Sequence, residues 1–418
     1  MDAGRQQRGL TIAATMKLTH KGDRWQVPSQ TGNGKRYSVE PKRGYCSCPD
    51  HDATGDVCKH LIAVQIVIQR ELFEDGTETV TKTVTVTEKV ERKTYPQDWP
   101  NYNRAQVNEH RLFGRFLADL CSTLPNPAPK GRGRPSVAPS DAAFCATMKV
   151  YSTMSARRFM GDLEECRDAG YISRIPHFNS VLNFFDSESA ADTLTDFVAK
   201  SAAPLVEVET EFAVDSSGFA GCRYLQWVDE KWGTPKRKAV WVKAHAIVGV
   251  KTNCVAAATV LDKDSGDITQ FPGLVKTARE QFTIKEVSAD KAYCGSKSFD
   301  AVEAAGGKFY PAFKSNATGG VGGGYGKAYH QFCLNREEYL AHYHKRSNIE
   351  SSFSGIKRLF GEALRSRTDR AMRNETLAKI VAWNITCVIH AMYELGISPM
   401  IGCTKNESVA QIIRFPGA

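Results

Sequence analysis

Cys46-Ser47-Cys48 and Cys58-Lys59-His60 stand nine residues apart, and that spacing leaves the first part of this chain few ways to fold. Structural zinc takes four nitrogen or sulfur ligands in a tetrahedron, and three cysteines with one histidine are a normal set. A CxC pair is too close for an easy mutual disulfide but can ligate one ion from a turn. Two short strands precede it, Trp25 to Val27 and Arg36 to Val39, joined by the turn-rich Gln30-Thr31-Gly32-Asn33-Gly34. An apolar helical stretch follows from Lys59 to Leu72, so Cys58 and His60 open a helix and can face back toward the CxC turn. A ββα unit this small has too little core to stand alone, which gives the metal a folding role. Cys46, Cys48, Cys58 and His60 are the expected zinc ligands, whereas Asp50 and His51 read as loop residues.

The pattern and its flanks resemble the SWIM zinc finger: Trp25 and Val27, Tyr37 and Val39, Cys46-Ser47-Cys48-Pro49-Asp50, and Cys58-Lys59-His60-Leu61-Ile62-Ala63-Val64. The resemblance covers roughly residues 23–70 and implies Zn²⁺, with contacts to DNA or to protein. Of the 12 cysteines, the others are scattered singly, as small buried hydrophobes in a reducing compartment would be.

Charge says something about partners. The 55 Lys and Arg outnumber the 46 Asp and Glu, giving a formal charge of +9, which favours a polyanion, nucleic acid before membrane. No run of about 20 apolar residues is present, so no membrane span is expected. The nearest candidate, Leu377 to Leu395, carries Lys379, Asn384 and His390 and reads as a buried core helix. Met1 to Leu10 is polar and basic and does not read as a secretory signal.

Beyond the finger, Thr77 to Lys93 alternates Thr and Val like a strand, and residues 97–121 read as a helix with Leu112, Phe113, Phe116, Leu117 and Leu120 on one face. Pro125, Pro127, Pro129, Pro135 and Pro139 mark a linker. Short helices run from Ser140 to Ala203, and from Glu209 the texture turns to apolar strands, then strand, helix, strand and long C-terminal helices, the order of an α/β domain. The glycine-rich tract Gly319 to Gly326 fits no phosphate-binding motif and reads as a flexible loop.

The sharpest signal is Tyr343-x2-Arg346-x3-Glu350-x6-Lys357. On one helix these four groups fall within an arc of roughly 60°. Ile349, Phe353, Ile356, Phe360 and Leu364 form a separate apolar stripe. A carboxylate among cations suits a divalent ion and a phosphodiester together, although Ser347-x-x-Glu350 also fits a capping box. Asp215 ends the apolar run Phe212-Ala213-Val214, and Asp290 follows Ile284 to Ala289. An Asp at a strand's carboxyl end points into the crevice where α/β sheets bind ligands, though each alone also reads as a turn or cap residue. Two such Asp and one helical Glu can hold two metal ions for in-line phosphoryl displacement.

These residues resemble the DDE transposases of bacterial and archaeal insertion sequences, in the branch with a Tyr-Arg-Glu-Lys signature. That signature is complete at Tyr343, Arg346, Glu350 and Lys357, within the context Phe212 to Phe219, Ala289 to Tyr293, Phe313-Lys314-Ser315-Asn316 and His344 to Glu350. The resemblance covers about residues 100–400 and implies a ribonuclease-H-like core. It also implies catalytic Asp215, Asp290 and Glu350 on Mg²⁺ or Mn²⁺, with Tyr343, Arg346 and Lys357 on DNA. The Asp-to-Asp and Asp-to-Glu separations are short, so the large β-rich insertion of some members is missing, which leaves open whether a hairpin intermediate is used. Arg132-Gly133-Arg134-Pro135 matches the core of an AT-hook, in which Arg132 and Arg134 enter a minor groove, or is a plain basic linker.

The expected fold is therefore α/β: a ribonuclease-H-like mixed sheet flanked by helices, a small ββα zinc finger and a helical middle region. The expected divisions are the finger over 1–72, a strand/helix segment and Pro-rich basic linker over 73–139, a helical DNA-binding region over 140–205, the catalytic domain over 206–400 and a tail over 401–418. The expected function is cleavage at transposon ends and strand transfer into target DNA by a cytoplasmic, nucleoid-associated homodimer. A nuclease of the same fold without strand transfer and a non-catalytic DNA-binding regulator are the alternatives.

Overall fold

The computed structural model describes residues 3–30, 34–72, 97–126, 136–221, 241–314 and 316–399. The Thr/Val segment 77–93, the Arg132-Gly133-Arg134 motif and the tail 401–418 lie outside them. The chain divides into two units, Met1–Thr94 and Tyr95–Ala418.

In the first unit, helix α1 (Ala3–Thr15) precedes four strands, β1 (Thr19–Lys21), β2 (Arg24–Pro28), β3 (Arg36–Glu40) and β4 (Tyr45–Cys46), and helices α2 (Pro49–Thr54) and α3 (Lys59–Leu72). The strands pair antiparallel in chain order. The expected ββα element is thus extended by two strands and two helices. Alternation along β2 buries Trp25 and Val27, which meet Val39, Leu61, Ala63, Val64 and Ile12. Gly9 lets α1 cross α3 closely, because a Cβ there would lie 2.7 Å from Ile62.

The second unit begins with α4 (Trp99–Ser122), α5 (Pro139–Ser152), α6 (Met160–Asp168), α7 (Phe178–Asp186) and α8 (Glu188–Ala202). Strands β5 (Glu211–Ala220), β6 (Trp241–Gly249) and β7 (Val255–Asp262) follow, then α9 (Asp267–Arg279), β8 (Glu286–Ala289), α10 (Ser296–Ala304) and β9 (Lys308–Pro311). Helices α11 (Gly323–Leu334), α12 (Arg336–Tyr343), α13 (Ser347–Phe360) and α14 (Asp369–Glu394) complete it. The glycine tract is not all loop: α11 starts inside it, at Gly323.

The sheet order is β7-β6-β5-β8-β9. The β5–β6 and β6–β7 pairs are antiparallel, while β5–β8 and β8–β9 are parallel. This is the mixed, ribonuclease-H-like sheet expected. Helices α4–α8 share one apolar core with it. Helix α14 is the buried helix read from the sequence, and Asn384, one of its buried polar residues, is paired: it accepts from the Val255 amide (2.7 Å) and donates to the Val255 (2.9 Å) and Val198 (3.1 Å) carbonyls.

Candidate metal centre and acidic site

The zinc cluster is assembled by four local events. Cys46 lies on β4 opposite Val39. Cys48 caps α2, its Sγ accepting from the His51 amide, with Pro49 in the first turn where a missing N–H costs nothing. Cys58 directly precedes α3, and His60 lies in that helix's first turn with its ring against Tyr37. All four are buried, and their ligand atoms lie within 4.8 Å of one another. Among the described residues, no other group of three or more His, Cys, Asp or Glu ligand atoms is gathered as closely.

The donor set fits zinc. His60 Nδ1 lies 4.0 Å from Cys58 Sγ, near the roughly 3.6 Å that tetrahedral zinc bond lengths impose between S and N ligands. The buried His60 Nε2 has no hydrogen-bond partner. Contact with the Cys46 thiol lowers the pKa of Cys58 against its burial. Asp50 and His51 are not loop residues as expected. They sit in α2, turned to other partners: Asp50 pairs with Arg5 (2.9 Å) and His51 Nδ1 meets the Asp56 carbonyl (2.8 Å).

The acidic residues of the second unit come from three elements. Asp215 does not end its strand; β5 runs on to Ala220, and Asp215 lies one step beyond the last residue pair that β5 makes with β8, Val214 opposite Ala289. Asp290 occupies the matching step after β8 and caps the following turn, its Oδ1 accepting from the Lys291 amide (2.6 Å). Two parallel strands thus bring two Asp side by side.

Glu350 comes from α13. Its apolar stripe of Ile349, Phe353, Ile356 and Phe360 is buried, while Leu364 is buried beyond the helix end and donates its N–H to Ala220. Gly355 permits close approach to α14, since a Cβ there would lie 2.4 Å from Trp383. Asn348 bonds the Val250 carbonyl at 2.6 Å, which fixes the start of the helix. No capping box forms: Ser347 donates its hydroxyl to the His344 carbonyl, and Glu350 turns to Arg346.

Tyr343 and Arg346 precede α13 rather than sharing it. Tyr343 ends α12, and Arg346 closes a one-turn 3₁₀ segment, His344–Arg346. From there the Arg346 guanidinium bridges two carboxylates, Asp215 Oδ2 at 3.0 Å and Glu350 Oε1 at 2.6 Å. Burial opposes its charge, but Asp215 and Glu350 outweigh burial and raise its pKa. Burial pushes the Asp215 carboxyl above its usual range, against the Ser216 amide and Arg346, with Asp290 and Glu350 adding repulsion. Lys357 lies two turns along α13, over the Phe219 ring at 5.3 Å and 3.8 Å from Glu362.

Three residues behind Asp215 went unnoticed in the sequence. Ser216, whose amide bonds Asp215 at 2.8 Å, donates its hydroxyl to Asp267 (2.8 Å), which also holds Lys243 (2.6 Å). A second missed group was legible: Glu211 precedes Asp215 by four residues, and Glu286 precedes Asp290 by the same four. An equal offset on two parallel strands puts all four acids on one sheet face.

Asp215, Asp290 and Glu350 offer hard oxygen ligands, but their oxygens are not gathered as the Cys and His ligand atoms are; Arg346 stands between Asp215 and Glu350. The family profile described as a transposase DDE domain matches residues 207–385. The profile of the SWIM zinc finger matches residues 37–68. No curated protein and no solved structure gives a significant match. Both matches, taken with the mixed sheet and the cysteine–histidine cluster, lead to one conclusion: this chain carries an N-terminal SWIM zinc finger and a DDE transposase domain.

Proposed function

We propose that the DDE domain cuts DNA at the ends of a mobile element and joins the freed ends to target DNA. The observation that carries this is the Arg346 bridge between Asp215 and Glu350, with Asp290 one step past the adjoining parallel strand. A guanidinium held between two carboxylates is a place where positive charge, from a metal or a side chain, is favoured.

Asp215, Asp290 and Glu350 would hold Mg²⁺ or Mn²⁺, which supplies activation of the attacking oxygen and stabilisation of the leaving one. Arg346 trades a carboxylate for a phosphate oxygen when the backbone arrives, and Tyr343 and Lys357 steady that backbone on either side. In the first step a water oxygen bonds to phosphorus and the 3′-oxygen leaves with a proton. That 3′-hydroxyl then attacks a target phosphodiester and displaces its 3′-oxygen. Two ends have to be handled together, so the working form is a homodimer. Zn²⁺ on Cys46, Cys48, Cys58 and His60 has a folding role, and Arg132 and Arg134 add minor-groove contacts from the linker.

The test uses labelled DNA from the regions flanking the coding sequence, a supercoiled target, and Mg²⁺ or Mn²⁺. Nicking at an end followed by a joined product is expected. Glu350→Gln should lower both by at least about 100-fold while binding persists. Nicking without joining assigns a nuclease instead, and binding without nicking in the wild type assigns a regulator.

A further inference from the structure

The β5–β8 pair carries a second acidic pair that the proposed chemistry does not use. Glu211 stands opposite Glu286 in the parallel register, four residues before the step that holds Asp215 and Asp290. At about 3.3 Å per residue the two acidic rows lie about 13 Å apart on one sheet face. Between them is the pair Ala213 and Ser288, both buried and both small. Small residues there leave room for the 3₁₀ turn His344–Arg346 to lie across the sheet.

Consecutive residues of that turn serve the two rows. Arg346 reaches Asp215 at one row. Lys345 Nζ reaches Glu211 (2.7 Å) and Glu286 (3.2 Å) at the other. His342, at the end of α12, adds a contact from Nδ1 to Glu286 Oε2 at 2.8 Å and stacks on Tyr310. The Glu286 side chain is only 9% exposed and is held by these partners, whereas that of Glu350 is 59% exposed.

We propose that Glu286, acting through Lys345, is a positioning residue for the reaction. It pins the 344–346 turn to the sheet so that Arg346 can release a carboxylate for a phosphate without the turn moving. Glu286 touches no reacting group itself. This rests on the reading of the acidic site given above. Losing the anchor lets Arg346 drift, while Asn348 still fixes the start of α13, and a displacement on the order of 1 Å at a reacting centre costs up to about 100-fold in rate.

The test is a double-mutant cycle on the full chain, read by single-turnover cleavage of end DNA at saturating DNA. Glu286→Gln and Lys345→Gln should each slow cleavage by about 10- to 100-fold with end-DNA affinity unchanged. In the Arg346→Gln background the same changes should slow it no further, because the group they position is gone. Purely structural damage would multiply with Arg346→Gln instead, and that result overturns the proposal. So does undiminished cleavage in both single variants. Should Glu286→Gln fail to fold, Lys345→Gln decides alone, since Lys345 is 28% exposed and leaves the strand sequence intact. Wild-type protein that binds but never cleaves sinks the reading of the acidic site and this proposal with it. A cleaving wild type with indifferent variants sinks only the anchor.

Discussion

The zinc cluster and the acidic site gather charge in opposite ways. Cys46, Cys48, Cys58 and His60 are all buried and their ligand atoms converge within 4.8 Å, with no cation of the chain's own among them. The carboxylates of Asp215 and Glu350 are instead spaced by a guanidinium, and the Glu350 side chain is 59% exposed. The first arrangement is complete only with an ion that stays. In the second, positive charge is already present. The Cys/His set is thus closed and dry with no cation of its own, whereas the acidic set is open and partly compensated by one guanidinium.

The largest expected effect is the one that separates these two sites most cleanly. Structural zinc contributes about 10–16 kcal/mol in small zinc-finger peptides, more than a unit of this size gains from its core. Chelation, or Cys58→Ser, should therefore unfold the finger. The second unit should be untouched, because the chain divides into Met1–Thr94 and Tyr95–Ala418. Hydrogen exchange on the full chain reads both at once. Protection should vanish over β2, β3 and α3 and persist over β5 and α14. Protection that survives in the finger, or falls in both units, would break the comparison.

What the sequence revealed follows the same division. The CxCx9CxH spacing is local, so the ligand set, β2, β3 and the start of α3 were all legible. The flanking α1, β1 and β4 were not, because α1 has no acid in its first turn and no base in its last, and β4 is only two residues long. In the second unit the apolar runs identified β5, β6 and β7, and the long apolar stretch identified α14. Strand order was not legible, since it is set by contacts distant in sequence. Placing Tyr343 and Arg346 on one helix with Glu350 failed for a local reason: the chain tightens into a 3₁₀ turn at His344–Arg346. That turn is what aims Lys345 and Arg346 at different rows of acids. Helical periodicity carries no signal for it.

A smaller effect sharpens the contrast. If Arg346 holds the place of a metal, removing its charge should ease metal entry. Arg346→Gln should raise the affinity of the DNA-free protein for Mn²⁺ by about 10-fold, or about 1.4 kcal/mol, a modest share of the Coulomb energy between partly exposed charges. Calorimetric titration of zinc-loaded protein measures this. The gain should shrink in high salt, because the site is partly open to solvent. An unchanged or weaker affinity would mean that Arg346 helps to shape the ligand set rather than competing with the ion, and the acidic site would then resemble the zinc cluster more than it differs from it.

The smallest effect concerns Lys357. Its ammonium lies 5.3 Å from the Phe219 ring centre and 3.8 Å from Glu362, with the side chain 26% exposed. Neither partner is strong: a cation over a ring at a half-open site contributes about 0.5–1 kcal/mol, and an exposed ion pair about the same or less. The charge is thus available to a phosphate two turns from Glu350. Lys357→Ala should leave cleavage at saturating DNA within about 3-fold of wild type. The slope of log affinity against log salt should fall by about 1, since one fewer counterion is released on binding. Fluorescence anisotropy of end DNA across a salt series gives that slope directly. A slope equal to wild type would make Lys357 a cover for Phe219, its stem packed on the ring and its charge facing solvent. The DNA contacts beside Glu350 would then rest on Arg346 and Tyr343, the two signature residues that lie before α13 rather than on it.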